Sequence, residues 1–163
     1  MKTIYILRHA KSSWKLDNMP DDQRPLLEKG KKRTRKIIEY LLKNNVMPEV
    51  IVSSHAVRAA ETARIVAHGI KFPVHDIIIS HNLYHCQADG IFGEIYAFDD
   101  KISQVMLVGH NPTLTNFVNK FFNPPIDYLP TSGLAAIQFD TNQWVDLPLA
   151  QPNPVFIVYP KEL

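Results

Sequence analysis

Three places in the chain set reactive or anion-binding side chains directly after a short apolar run. Arg8-His9 follows Ile4 to Leu7, Ser53-Ser54 and then Arg58 follow Val50 to Val52, and Gly109-His110 follows Val105 to Val108. A guanidinium offers planar, paired donors that fit phosphate oxygens, and a neutral imidazole can attack phosphorus and carry the phosphoryl group covalently. Gly109-His110-Asn111-Pro112 puts the second imidazole in a tight turn ahead of a helix start, where close backbone approach is allowed and an anion is favoured. Two arginines and two histidines in one crevice would form a site for phosphoryl transfer. They are far apart in sequence, so the fold must bring them together.

The apolar runs are β-branched and too short for helices, which predicts buried strands. Runs that are apolar without alternation suit a parallel sheet covered on both faces. The segments between them are long enough for crossover helices. Glu28 to Lys43 carries Ile37, Ile38, Leu41 and Leu42 at helical spacing, and Val57 to Ala67 is alanine-rich and followed by Gly69. After Asn111-Pro112, the residues Leu114, Phe117, Val118 and Phe121 share one helical face. Alternating strand and helix is the pattern of an α/β fold, here expected as a three-layer sandwich with a mostly parallel central sheet. In such a sheet the carboxyl ends of neighbouring strands line one edge, where ligands bind. Further strands are expected at Val74 to Ile79, Leu134 to Phe139 and Val155 to Val158, with Trp144 to Leu147 as a hairpin partner for the last two.

At 163 residues the chain is the size of one domain, expected over 1–163, and it can build a core without metal or disulfide staples. Cys86 is its only cysteine, which fits a reducing compartment. Eighteen basic against 16 acidic residues leave a formal charge of +2, too small to argue for nucleic acid. The opening apolar run meets Arg8 too soon for a signal peptide, and no stretch approaches the ~18 apolar residues of a membrane span. A cytoplasmic protein with no membrane or nucleic-acid partner is expected.

The segments Leu7-Arg8-His9-Ala10-Lys11-Ser12-Ser13-Trp14, Arg24-Pro25-Leu26 with Gly30, Ser53-Ser54 with Arg58 and Glu61-Thr62-Ala63, and Val108-Gly109-His110-Asn111-Pro112 resemble the histidine phosphatase superfamily. Ala10 in place of the usual glycine and the short chain are most similar to its SixA-type phosphohistidine phosphatases. The resemblance runs from about Lys2 to Ser132. It implies His9 as the nucleophile that becomes phosphorylated, Arg8 and Arg58 as ligands of the phosphoryl oxygens, and His110 as a further donor. No metal and no cofactor are implied, because fixed cationic side chains suffice to hold a phosphoryl group in flight. His9 must present one bare ring nitrogen, so its other nitrogen needs a fixed acceptor such as a backbone carbonyl. Thr131-Ser132-Gly133 is a candidate for that support, or an ordinary turn entering the next strand.

Two departures from the family pattern bear on substrate. Lys15 stands where an asparagine is usual, leaving Ser12 and Lys15 as candidate substrate-binding residues. Members acting on alcohol phosphates carry a carboxylic acid near the stretch here reading Ser80-His81-Asn82-Leu83-Tyr84, and none stands there; Asp89 and Glu94 follow without an evident place in the pocket. An alkoxide needs a proton from a positioned acid, worth about 10²–10⁴ in rate, whereas imidazole titrates near neutrality and leaves more readily. The expected activity is therefore hydrolysis of phosphohistidine on a phosphotransfer or phosphocarrier protein. The rivals are a small-molecule phosphomonoesterase with a hidden acid such as Asp89 and a non-catalytic module that binds phosphorylated partners; a mutase-like transferase is disfavoured by the short chain. The basic stretch Lys29, Lys31, Lys32, Arg33, Arg35 and Lys36 is either a solvated helix face or a dock for an acidic phosphoprotein. His81, His85 and Cys86 imitate a metal site but lack a fourth ligand. His55, His68 and His75 receive no role.

Overall fold

The computed structural model describes the whole chain except residues 15 and 16. Six strands form one sheet: β1 (Lys2–Arg8), β2 (Val50–Ser54), β3 (Ile78–Ser80), β4 (Gln104–Gly109), β5 (Leu134–Phe139) and β6 (Pro152–Val158), in spatial order β3-β2-β4-β1-β5-β6. β1 runs parallel to β4, and β2 runs parallel to both β4 and β3. The β1–β5 and β5–β6 pairs are antiparallel. The sheet is thus mostly parallel, as the unbroken apolar runs predict.

Alternate residues of the central strands feed two cores. Ile4, Ile6, Val105 and Leu107 pack on one face with Leu114, Phe117 and Trp144. Tyr5, Leu7, Met106 and Val108 pack on the other with Ile37, Leu41, Ala63 and Val66. The second face is covered by α1 (Glu28–Lys43) and α2 (Val57–Gly69); the first by α3 (Gly90–Ile95), α4 (Thr113–Val118) and a short 3-10 helix at Trp144–Leu149. α1 buries Gly30, Thr34, Ile37 and Leu41, a stripe at spacings of four, three and four that brings one helical face onto the sheet. Each buried Leu or Ile of this stripe contributes about 1.5–3 kcal/mol. Among the described residues no helix is long and apolar enough to cross a membrane.

Several element boundaries differ from the sequence expectation. Trp144 to Leu147 is not a hairpin strand, because the fully buried Trp144 donates its indole N–H to the Ile102 carbonyl and its backbone N–H to Asp100, winding the segment into a 3-10 helix under the sheet. β6 pairs with β5 directly and begins at Pro152, on the outer edge where a missing N–H is tolerated. Val74 to Ile79 yields a strand only at Ile78–Ser80, since a 3-10 turn at Val74–Asp76 follows Pro73. α4 ends at Val118; Phe121 lies beyond it and packs edge-on against Phe117 and Phe139.

Candidate active site

The register of β1 on β4 assembles the centre. Arg8 pairs with Gly109, and the His9 backbone N–H donates to the Gly109 carbonyl at 3.1 Å, so the residues that follow, His9 and His110, come side by side with ring centroids 5.2 Å apart. β2 lies against β4 and ends in Ser53-Ser54, and Arg58 stands in the first turn of α2 just beyond it. His9, Arg58 and His110 are 6%, 5% and 8% exposed, burial that polar side chains accept only with partners or a ligand. Arg8, His9, Arg58 and His110 line one cavity of about 490 Å³ with Ser12, Arg24, Asp21, Trp14, Lys11 and Arg33. The four expected side chains are brought together.

His9 Nδ1 lies 2.7 Å from the Ala10 carbonyl oxygen. A carbonyl only accepts, so Nδ1 carries the proton and Nε2 presents its lone pair. Thr131-Ser132-Gly133 supports His9 differently from the expectation: the Ser132 N–H donates to the Arg8 and His9 carbonyls at 3.1 Å each, and the Arg8 N–H donates to Gly133. The turn fixes the backbone at His9 while the Ala10 carbonyl fixes its ring. Ser132 adopts a φ of 58° and its hydroxyl meets Thr34 of α1 at 2.8 Å, tying the turn to the helix. His110 Nε2 is 2.8 Å from the Ser54 hydroxyl, which also accepts the Ala56 N–H. That hydroxyl proton can point to Nε2, placing the ring proton on Nδ1. Among the described residues His110 Nδ1, Arg8 Nε and Arg58 Nε are buried without a protein hydrogen-bond partner.

Burial lowers the His9 pKa to about 3, with the guanidiniums of Arg8, Arg58 and Arg24 acting in the same direction against the Ala10 hydrogen bond. Burial likewise lowers His110 to about 3, reinforced by His9 and Arg58 and opposed by Asp21. Both imidazoles are neutral at physiological pH, the state a nucleophile at phosphorus requires.

Three neighbours were missed or misplaced by sequence reasoning. Arg24 is 8% exposed, donates to Ser12 Oγ at 3.0 Å and to the Ser13 carbonyl, and stacks over the Trp14 ring at 3.8 Å. Its signal was the Arg24-Pro25-Leu26 motif itself. Asp21, on a 3-10 turn three residues earlier, is the only carboxylate lining the cavity among the described residues. Its side chain accepts Arg24 Nε at 3.1 Å, Arg58 Nη2 at 3.0 Å and the Tyr84 hydroxyl, and its backbone carbonyl accepts Arg58 Nη1 at 2.7 Å. The Tyr84 hydroxyl and the two guanidiniums hold the Asp21 carboxyl well below the usual carboxylate range. Tyr84 itself packs edge-on against His110 at 5.4 Å.

The other sequence candidates divide between the cavity and positions outside it. Ser12 lines the cavity and holds Arg24. Lys15 lies outside the described residues. Asp89 pairs with Lys120 at 2.9 Å, and Glu94 accepts the Ser80 hydroxyl; neither lines the cavity. His81 stacks on His55 at 4.0 Å while His85 packs on Tyr84, and among the described residues no group of three or more His, Cys, Asp or Glu is placed to hold a metal ion. Of the basic stretch, Arg33 lines the cavity, whereas Lys31 pairs with Glu28 and Glu61 and Lys36 reaches the carbonyl of Leu163.

A family model of the histidine phosphatase superfamily (branch 1) matches residues 4–83. An uncharacterized protein of Mycobacterium leprae is 28% identical and covers 95% of this chain and 100% of its own. A SixA protein from Agrobacterium tumefaciens has the same fold with a TM-score of 0.82 at 24% identity, over 97% of each chain. The protein histidine phosphatase SixA complexed with tungstate gives 0.80 at 20% identity over 98% of each chain. A mycobacterial glucosyl-3-phosphoglycerate phosphatase gives 0.69 at 14% identity over 95% of this chain and 97% of that one.

Proposed function

Because the chain belongs to the histidine phosphatase superfamily, we propose that it hydrolyses phosphohistidine on a phosphotransfer or phosphocarrier protein through a covalent phospho-His9 intermediate. The observation that carries this reading is the His9 ring, locked by Ala10 with Nε2 bare and set among arginine and histidine donors. Arg8, Arg58 and His110 hold the three equatorial oxygens of the phosphoryl group. The Nε2 lone pair attacks phosphorus as the bond to the leaving group breaks, and the electron pair departs with that group. Water then attacks phospho-His9, the P–Nε2 bond breaks, its pair returns to Nε2, and phosphate leaves with the water oxygen and both of its protons, which it shares with bulk solvent. The guanidiniums supply the positive charge that metal ions supply in other phosphoryl-transfer sites, so the reaction proceeds without a metal. The structural likeness to a protein histidine phosphatase supports a protein substrate.

The leaving group follows from the cavity's carboxylate. Asp21 is held ionised by Tyr84, Arg58 and Arg24 and has no proton to give an alkoxide. Imidazole leaves without that help. The test compares kcat/KM on a phosphohistidine protein with that on phosphoserine and sugar phosphates. A preference of at least about 100-fold for phosphohistidine is expected, the range a general acid would otherwise supply; equal or better turnover of alkyl phosphates would defeat the reading. That second outcome would favour a small-molecule phosphomonoesterase, which the cavity of about 490 Å³ is large enough to serve.

A further inference from the structure

In an in-line displacement the leaving group departs on the side of the phosphoryl group opposite the nucleophile. His9 sits deep, 6% exposed, while the Asp21 side chain is 45% exposed at the outer end of a path that runs from His9 through His110 and Tyr84. A carboxylate in a phosphate pocket needs an explanation, because it repels the anion that the neighbouring arginines attract. It does more than anchor Arg58, whose Nη1 is already held by the Asp21 backbone carbonyl. The carboxylate has about four lone-pair sites, and Arg24, Arg58 and Tyr84 take three of them.

Resting on the phosphohistidine reading above, we propose that Asp21 recognises the leaving group: its carboxylate accepts the N–H of the substrate imidazole nitrogen that does not carry phosphorus. With that nitrogen protonated, the substrate ring is a phosphoimidazolium. When His9 Nε2 forms its bond to phosphorus, the P–N bond of the substrate breaks, its pair goes to the ring nitrogen, and the ring leaves as neutral imidazole, still donating its other N–H to Asp21. No proton has to reach the scissile nitrogen. The arrangement mirrors the enzyme's own ring, where the Ala10 carbonyl accepts the Nδ1–H of His9 while Nε2 exchanges phosphorus. An alkyl or aryl phosphate offers no such N–H, so Asp21 is the residue that separates the two substrate classes.

The experiment measures wild type and Asp21→Asn on a phosphohistidine peptide and on p-nitrophenyl phosphate. Asparagine keeps the size, one oxygen acceptor and the backbone carbonyl that hold Arg58, and p-nitrophenyl phosphate turnover reports a folded, working pocket. A charge-assisted hydrogen bond lost from the transfer step lowers kcat/KM on the peptide by about 10- to 100-fold more than it lowers kcat/KM on p-nitrophenyl phosphate. In the kcat profile for the peptide, the alkaline limb moves to lower pH in the variant, because the bound ring gives up its proton more easily without the carboxylate. An equal loss on both substrates, or an unmoved alkaline limb, would overturn the assignment. Wild type that leaves phosphohistidine untouched while hydrolysing p-nitrophenyl phosphate would instead overturn the functional reading beneath it.

Discussion

His9 and His110 carry a cost that becomes measurable as pH changes. Each has a pKa near 3 in the folded chain against an ordinary 6.5. Between those values the unfolded chain binds more protons than the folded one, so stability is full above about 6.5 and is lost as pH falls toward 3. The slope is up to about 1.4 kcal/mol per pH unit for each histidine. Asp21 acts in a lower window: its depressed carboxyl stabilises the fold above the ordinary value of 3.8 and is lost only as pH falls further. Thermal unfolding from pH 7 to 4 should therefore show a falling Tm whose slope is much flatter in the His9→Asn, His110→Asn double variant; parallel slopes would contradict the burial of neutral imidazoles. At this scale the convergence of Arg8, His9, Arg58 and His110 on one cavity was legible in the sequence, since each lies at or beyond the end of an apolar run that reads as a buried strand. The sequence was a poor guide to Asp21, which sits on a turn without periodicity and reaches the pocket only through the fold. The stretch Ser80 to Tyr84, which carries no carboxylate in the sequence, instead supplies a phenol that donates to the Asp21 carboxylate arriving from another loop.

Among elements, the contact between α1 and the loop after β1 sets the precision of the site. A Cβ on Gly30 would overlap the Lys11 carbonyl oxygen, which is backbone and cannot swing aside. The Lys11 carbonyl accepts the Leu27 N–H at 2.9 Å, and the next residue, Ser12, holds Arg24. Gly30→Ala should destabilise the fold by about 1–3 kcal/mol, and it should lower kcat/KM about tenfold or more by displacing the Ser12–Arg24 pair. Unchanged Tm and activity would show that the loop yields freely. The limits of α1 were legible because its buried stripe repeats with helical period. β1, β2 and β4 were legible because burial on both faces makes them uniformly apolar. The Trp144 segment misled for a related reason: a short apolar run has no period long enough to tell a strand from a 3-10 helix, and the tertiary hydrogen bonds of Trp144 decide.

For the whole molecule, a sheet buried on both faces leaves the carboxyl ends of β1, β2 and β4 as a common edge, and that edge gathers the site's cations. The near balance of 18 basic and 16 acidic residues therefore hides a local surplus: Arg8, Lys11, Arg24, Arg33 and Arg58 line one cavity against the single carboxylate of Asp21 among the described residues. Such a surplus of fixed positive charge favours an anionic group in the pocket. The proposed hydrolysis requires the phosphoryl group to pass through His9. The direct measurement is a rapid-quench intact-mass experiment in which the protein is mixed with a phosphohistidine-bearing donor protein and any acid-labile phosphoryl adduct is mapped, with His9→Ala alongside. An adduct on His9 that forms and decays as the donor loses phosphate, and that is absent in the variant, is the predicted result. A donor that stays bound and phosphorylated, or one that is dephosphorylated equally well by His9→Ala, would contradict the account.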